Sequence, residues 1–88
     1  MTPAQSRAAR GLLDWSQAQL ASAAKVSESA LRNFEAGRST PIANNLAALR
    51  RALETGGVEF TNGGQPGVRL KGPGGTIAAD QLNASNDE

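Results

Sequence analysis

Apolar residues recur every three or four positions over the first 55 residues, and every second position in two later segments, 58–60 and 68–70. The first spacing is typical of amphipathic helices and the second of a half-buried strand pair. Ten apolar residues of the helical part can face one centre: Leu13, Leu20, Ala21, Ala24, Val26, Leu31, Phe34, Leu46, Leu49 and Leu53. The pattern predicts a small helical core followed by a β-hairpin.

Capping residues divide the helical part into four helices. Thr2 and Ser16 are each followed three residues later by glutamine, which is a capping box, and Ser27 is the N-cap of a third helix. Gly37 and the pair Gly56-Gly57 are suited to end the third and fourth helices. We expect helices over residues 3–13, 17–23, 28–36 and 43–55.

The two alternating segments are joined by the turn sequence N-G-G-Q-P-G. We expect Phe60 to lie opposite Val68 and Val58 opposite Leu70. This register puts the apolar side chains on one face and pairs Glu59 with Arg69 on the other.

Charge is distributed unevenly along the chain. The whole chain has a net charge of only +1. All nine basic residues lie in residues 1–71 with five of the eight acidic ones, whereas residues 72–88 contain three acidic residues and no basic one. The first part is therefore more basic than the whole-chain value indicates. Arg50 and Arg51 fit an ordinary solvated helix face.

Composition argues against several classes of protein. The 88 residues allow one small domain, and the absence of Cys and His excludes disulfides, Cys/His zinc sites and Ser-His or Cys-His catalysis. The acidic residues are scattered and the glycine-rich region does not open a helix, so we expect neither an enzyme nor a cofactor. Without a long apolar run or a signal-peptide core, we expect a cytoplasmic protein that does not enter a membrane.

Two adjacent segments carry a resemblance to a known family. S-Q-A-Q-L-A at residues 16–21 and V-S-E-S-A-L-R-N-F-E-A-G-R at residues 26–38 resemble the helix-turn-helix of phage repressors and Cro proteins, the XRE-type regulators. The resemblance covers about residues 5–55. It implies a mostly α-helical fold, a lambda-repressor-like four-helix domain over residues 1–56. A hairpin extension over 57–71 and a disordered tail over 72–88 would follow, with Ile77 and Leu82 as candidates for a brief docked helix.

The resemblance also implies a DNA interface, with double-stranded DNA as the partner. In the family the third helix reads bases in the major groove, and Arg and Asn suit guanine and adenine edges. The matching positions here are Glu28, Ser29, Arg32 and Asn33. The positions that match phosphate contacts are Gln17, Arg38 and Asn45, helped by the N-termini of the second and fourth helices.

Several of these positions also have a structural interpretation. Gln17 and Gln19 fit simple capping roles, and Arg32 and Asn33 fit a solvated helix face. Glu28 can accept a hydrogen bond from cytosine but repels phosphates, and an acidic first residue also stabilises a helix N-terminus.

Arg10 and Glu35 match an ion pair that joins the first and third helices in many family members. The resemblance therefore implies a structural role for these two residues, and we do not count them as a binding site.

Two functions remain open. The first is a transcriptional regulator that binds operator DNA as a homodimer, because one domain of this size buries little DNA surface. The candidate dimer or partner surface is apolar: Val58, Phe60, Val68 and Leu70. The equal alternative is that the first and fourth helices of the same chain cover these residues.

The second function is an antiactivator or adaptor that binds another transcription factor instead of DNA. Ala36 and Ala43 occupy positions where many relatives have polar or basic phosphate contacts, which indicates weaker DNA affinity. Trp15 and the hairpin would then supply a protein-binding surface. Stand-alone proteins similar to this one often lie on mobile genetic elements, where either function controls transfer or lysogeny.

Overall fold

The computed structural model describes residues 1–61 and 66–71. It contains four helices, α1 (Pro3–Leu13), α2 (Gln17–Ala24), α3 (Glu28–Glu35) and α4 (Ala43–Gly56), followed by strands β1 (Val58–Thr61) and β2 (Gly67–Leu70). The predicted mostly helical fold with a terminal hairpin is confirmed. The disordered tail and the docked helix expected within residues 72–88 lie outside the described residues.

Hydroxyl side chains begin the first three helices. Thr2 and Ser16 accept hydrogen bonds from the backbone N–H groups of Gln5 and Gln19, both at 3.0 Å, and both glutamines complete their capping boxes. Ser27 accepts from the N–H of Ala30 at 3.1 Å. The fourth helix differs, because its N-cap Ile42 makes no side-chain capping bond. The first-turn N–H groups of α4 are therefore left without a capping side chain.

The buried core lies between the helices and the first strand. Its apolar members are at most 8% exposed: Ala9, Leu20, Ala21, Val26, Leu31, Phe34, Leu49, Leu53 and Val58. Leu13, Ala24 and Leu46, which the spacing assigned to the core, are only partly buried and pack against it. Ala9 of α1 also belongs to the core, although the sequence pattern did not assign it there. The pattern is unclear on this face of α1 because the face also carries the buried polar residues Gln5 and Ser6.

The hairpin has the register predicted from its alternating pattern. Val58 pairs with Leu70, Glu59 with Arg69 and Phe60 with Val68. Arg69 Nε lies 2.9 Å from Glu59 Oε1 on the exposed face. The other face packs against α1 and α4, so these helices cover part of the apolar surface. Val58 is fully buried and belongs to the core, which corrects its assignment to a dimer or partner surface.

Two polar side chains attach the hairpin to the helices. The buried Gln5 amide donates to the carbonyl oxygens of Gly67 at 3.1 Å and Thr61 at 3.5 Å, the last residue pair of the ladder. The guanidinium carbon of Arg50 lies 5.0 Å from the centre of the Phe60 ring, within the range of a cation–π contact. The sequence predicted that Arg50 is an ordinary solvated residue of the helix face. Its contact with the Phe60 ring shows that it also joins α4 to the hairpin.

A buried carboxylate joins α3 to the first two helices. The side chain of Glu35 is 2% exposed and accepts two hydrogen bonds from Arg10, from Nη2 at 2.7 Å and from Nε at 2.9 Å. Ser6 Oγ donates to it at 2.5 Å and Gln17 Nε2 at 3.1 Å. We call these four side chains, Ser6, Arg10, Gln17 and Glu35, the Glu35 network.

The partners of Glu35 keep it ionised. Burial alone would raise its pKa, but the hydrogen bonds from Arg10, Ser6 and Gln17 and the charge of Arg10 outweigh burial and leave the pKa below its ordinary value. A carboxyl group with a lowered pKa stabilises the fold at pH values above its unfolded pKa. That stabilisation is lost as the pH falls through the folded pKa.

We predict that Glu35→Ala lowers the free energy of unfolding by about 3–5 kcal/mol near neutral pH, because Arg10 loses its partner. The difference from the wild type should narrow as the pH falls below 4.5, the ordinary pKa of the group, because the wild type then loses the same charge. Denaturant titrations at several pH values measure both effects. Glu59→Ala, in an exposed ion pair, is the control, and equal destabilisation by the two substitutions would contradict the prediction.

We predict that Phe60→Ser lowers the free energy of unfolding by about 1–3 kcal/mol, less than the full cost of truncating a buried phenylalanine. The ring is half-buried against the core and lies beneath Arg50. Leu12→Ser is the control, because Leu12 is 40% exposed on α1, lies outside the hairpin, and its substitution should change the melting temperature little. If Phe60→Ser melts like this control, the hairpin does not stabilise the helical core.

Candidate nucleic-acid interface

The exposed side of α3 forms a polar face. Glu28, Ser29 and Arg32 are exposed and Asn33 is half-buried, whereas the opposite side of the helix buries Leu31, Phe34 and Glu35. We call the four outward residues, Glu28, Ser29, Arg32 and Asn33, the α3 face. Their helical spacing puts donor and acceptor groups side by side, as a helix that enters a major groove requires.

An ion pair crosses the α3 face. Arg32 Nη2 lies 2.9 Å from Glu28 Oε2, and the two side chains are 53% and 46% exposed. An exposed pair of this spacing stabilises a helix by about 0.3–0.5 kcal/mol, so a base contact can replace it at little cost. Sequence reasoning treated Glu28 and Arg32 separately. Their four-residue separation was the signal for the pair.

Gln17 connects the candidate interface to the buried network. It is the first residue of α2, and its side-chain amide donates to Glu35 at 3.1 Å. The sequence assigned Gln17 to a capping role or a phosphate contact and did not predict this hydrogen bond. The hydrogen bond fixes the N-terminus of α2 relative to α3, and Gln17 remains half-buried at the edge of the candidate surface.

Arg38 lies in the loop after α3. It is exposed, and its backbone N–H donates to the carbonyl oxygen of Asn33 at 2.9 Å. The structure thus places Arg38 next to the end of the α3 face. Asn45 is half-buried in the first turn of α4, and within residues 1–61 and 66–71 no hydrogen bond joins it to the α3 face.

Two further residues of α1, Ser6 and Arg7, donate hydrogen bonds to Glu35 on the inner side of α3. Ser6 lies four residues before Arg10 on α1, so both reach Glu35 from one helix face. Arg7 donates to the carbonyl oxygen of Glu35, and Arg10 donates to that of Trp15 at 3.1 Å. Sequence reasoning missed Ser6 and Arg7, although the helical spacing from Arg10 was a signal for Ser6.

Comparison with known proteins agrees with this geometry. The Helix-turn-helix family model matches residues 7–60, more than half of the 88 residues. The chain therefore belongs to the XRE-type helix-turn-helix family, a class of DNA-binding regulatory domains. No curated protein matches the chain.

Among the residues described, no helix is both long and apolar enough to cross a membrane.

We predict that Glu28→Gln tightens binding to random-sequence duplex DNA. Removing one negative charge near the phosphates should strengthen binding by about fivefold at low salt, since unit charges about 4 Å apart in water interact by about 1 kcal/mol. Fluorescence anisotropy at stated salt concentrations measures this change.

Glu54→Gln is the matched control, because it removes the same charge from an exposed ion pair of the same spacing on α4. Equal changes in DNA affinity for both variants would show that only the total charge of the protein matters. That result would contradict the prediction that Glu28 lies near the DNA phosphates.

Proposed function

We propose that this protein is a sequence-specific transcriptional regulator that inserts α3 into the major groove of operator DNA. The observation that carries the proposal is the α3 face: four polar side chains point outward from a helix whose inner face is fixed by the Glu35 network. A rigid helix of this kind presents its donors and acceptors in a defined geometry, which base recognition requires.

Each residue of the interface has a proposed role. Arg32 and Asn33 donate to guanine and adenine edges, and Ser29 contacts a base beside them. Glu28 releases Arg32 and accepts from cytosine N4. Phosphate contacts by Gln17, Arg38 and Asn45, and by the N-termini of α2 and α4, fix the position of the domain on the duplex.

We propose that the regulator binds DNA as a homodimer. A domain of this size covers one half-site, and a second copy doubles the contacts on a pseudo-palindromic operator. The hairpin supplies the candidate surface, because Leu70 is 49% exposed and Phe60 and Val68 are half-buried. Val58 has no part in it.

The central experiment is a binding titration on DNA from upstream of the protein's own gene, with random duplex as the comparison. Arg32→Ala and Asn33→Ala should each lose about 1–3 kcal/mol of specific binding, as expected for a base contact. Arg38→Ala should weaken specific and random DNA binding alike and reduce the salt dependence.

Arg51→Ala is the control, because it removes the same charge from an exposed position on α4. All four variants should melt within a few degrees of the wild type, since surface substitutions change stability little. Equal loss of specific binding in Arg51→Ala and Arg32→Ala would contradict base reading by α3.

A second candidate function is antiactivation, in which the same fold binds another transcription factor. The observation that favours it is the charge of the surface: Glu28 neutralises Arg32, and the exposed Ala36 and Ala43 have no side chain that could contact a phosphate. In that case the wild type would bind upstream DNA no better than random duplex, even at low salt. Substitutions of Trp15, the α3 face or the hairpin would instead abolish co-purification with a transcription factor.

A further inference from the structure

An apolar groove lies between the C-terminal ends of α2 and α4. Its volume is about 340 Å³, and its walls are formed by Trp15 and by Ala23, Ala24, Ala48 and Ala52. Gly56, which is exposed, also lines the groove, and a Cβ added there would come within 3.0 Å of the Trp15 ring. We call this the Trp15 groove. Small side chains leave a depression beside a large aromatic ring, which suits aliphatic side chains.

The rim of the Trp15 groove is positively charged. The charged side chains that line it, within the described residues, are those of Lys25 and Arg51, and both residues are exposed. Two copies meeting symmetrically through this groove would bring like charges together. The rim favours an acidic occupant instead.

The described chain ends beside the groove. The backbone N–H of Lys71 donates to the carbonyl oxygen of Gly57 at 2.9 Å, and Gly57 follows the lining residue Gly56. The sequence then continues as G-P-G-G-T-I-A-A-D-Q-L over residues 72–82. From Lys71 to Ile77 is six residues, which reach about 20 Å when extended.

The composition of this segment matches the groove. Residues 77–82 contain Ile77, Ala78, Ala79 and Leu82 together with one acidic residue, Asp80. Residues 72–88 contain no basic residue. We propose that residues 77–82 dock in the Trp15 groove, with Ile77 and Leu82 against its alanine walls and Asp80 at the rim formed by Lys25 and Arg51. The docking is independent of what the α3 face binds.

The fluorescence of Trp15 tests the proposal, because it is the single tryptophan of the chain and it forms one wall of the groove. The full chain is compared with the double variant Ile77→Asp, Leu82→Asp. We expect the double variant to show a red-shifted emission maximum and stronger quenching by acrylamide. The matched control Thr76→Asp, Asn83→Asp adds the same two charges at flanking polar positions and should leave both readings unchanged.

A charge exchange tests the rim without altering the apolar residues. Arg51→Glu should raise acrylamide quenching of Trp15, and adding Asp80→Lys to that variant should restore the wild-type value. Melting curves on the same samples check that the core remains folded. The variant Leu82→Ala repeats the test of the apolar residues without adding a charge.

Three results would overturn the proposal. The first is unchanged quenching in both the Ile77→Asp, Leu82→Asp variant and Leu82→Ala. The second is an equal increase in the flanking-position control. The third is an increase accompanied by a fall from dimer to monomer in sedimentation, which would make a second copy the occupant of the groove.

Discussion

The buried carboxylate of Glu35 is the constraint on which the arrangement of the first three helices depends. A carboxylate that is 2% exposed is costly unless its oxygens are paired, and here Arg10, Ser6 and Gln17 satisfy them from α1 and α2. The apolar core contributes burial without direction, whereas these hydrogen bonds have direction. We infer that the core holds the helices together and the Glu35 network sets how α3 is presented.

The candidate interface combines a helix that the Glu35 network fixes in position with surface side chains that are only weakly paired. The hydrogen bond between Gln17 and Glu35 fixes the N-terminus of α2 beside α3, and the Arg38 N–H bond to Asn33 fixes the loop that follows. On the surface itself, the ion pair between Glu28 and Arg32 is exposed and exchangeable. Because the helix is fixed and the ion pair on it is exchangeable, the side chains can change partners on binding while α3 stays in place.

Local features of the fold could be predicted from the sequence, and the family resemblance implied the ion pair between Arg10 and Glu35, but the other long-range polar contacts could not be predicted. The caps at Thr2, Ser16 and Ser27 and the register of the hairpin depend on neighbouring residues, so spacing alone determines them. Gln5 was assigned only to a capping box, yet its amide also binds Gly67, 62 residues away. The contacts of Gln17 with Glu35 and of Arg50 with Phe60 are of the same kind. In each, a flexible side chain comes within reach of its partner only after the helices have packed.

The most direct test of the account is a titration of the isotope-labelled protein with operator duplex, followed by backbone amide chemical shifts. We expect the largest changes at the N-terminus of α2, along α3 and from Arg38 to Asn45, with small changes in the hairpin and around Trp15. Because the α3 face rests on the Glu35 network, the amide of Glu35 should respond as well. Shifts concentrated on the hairpin or the Trp15 groove, with α3 unaffected, would contradict the claim that α3 is the DNA-reading element.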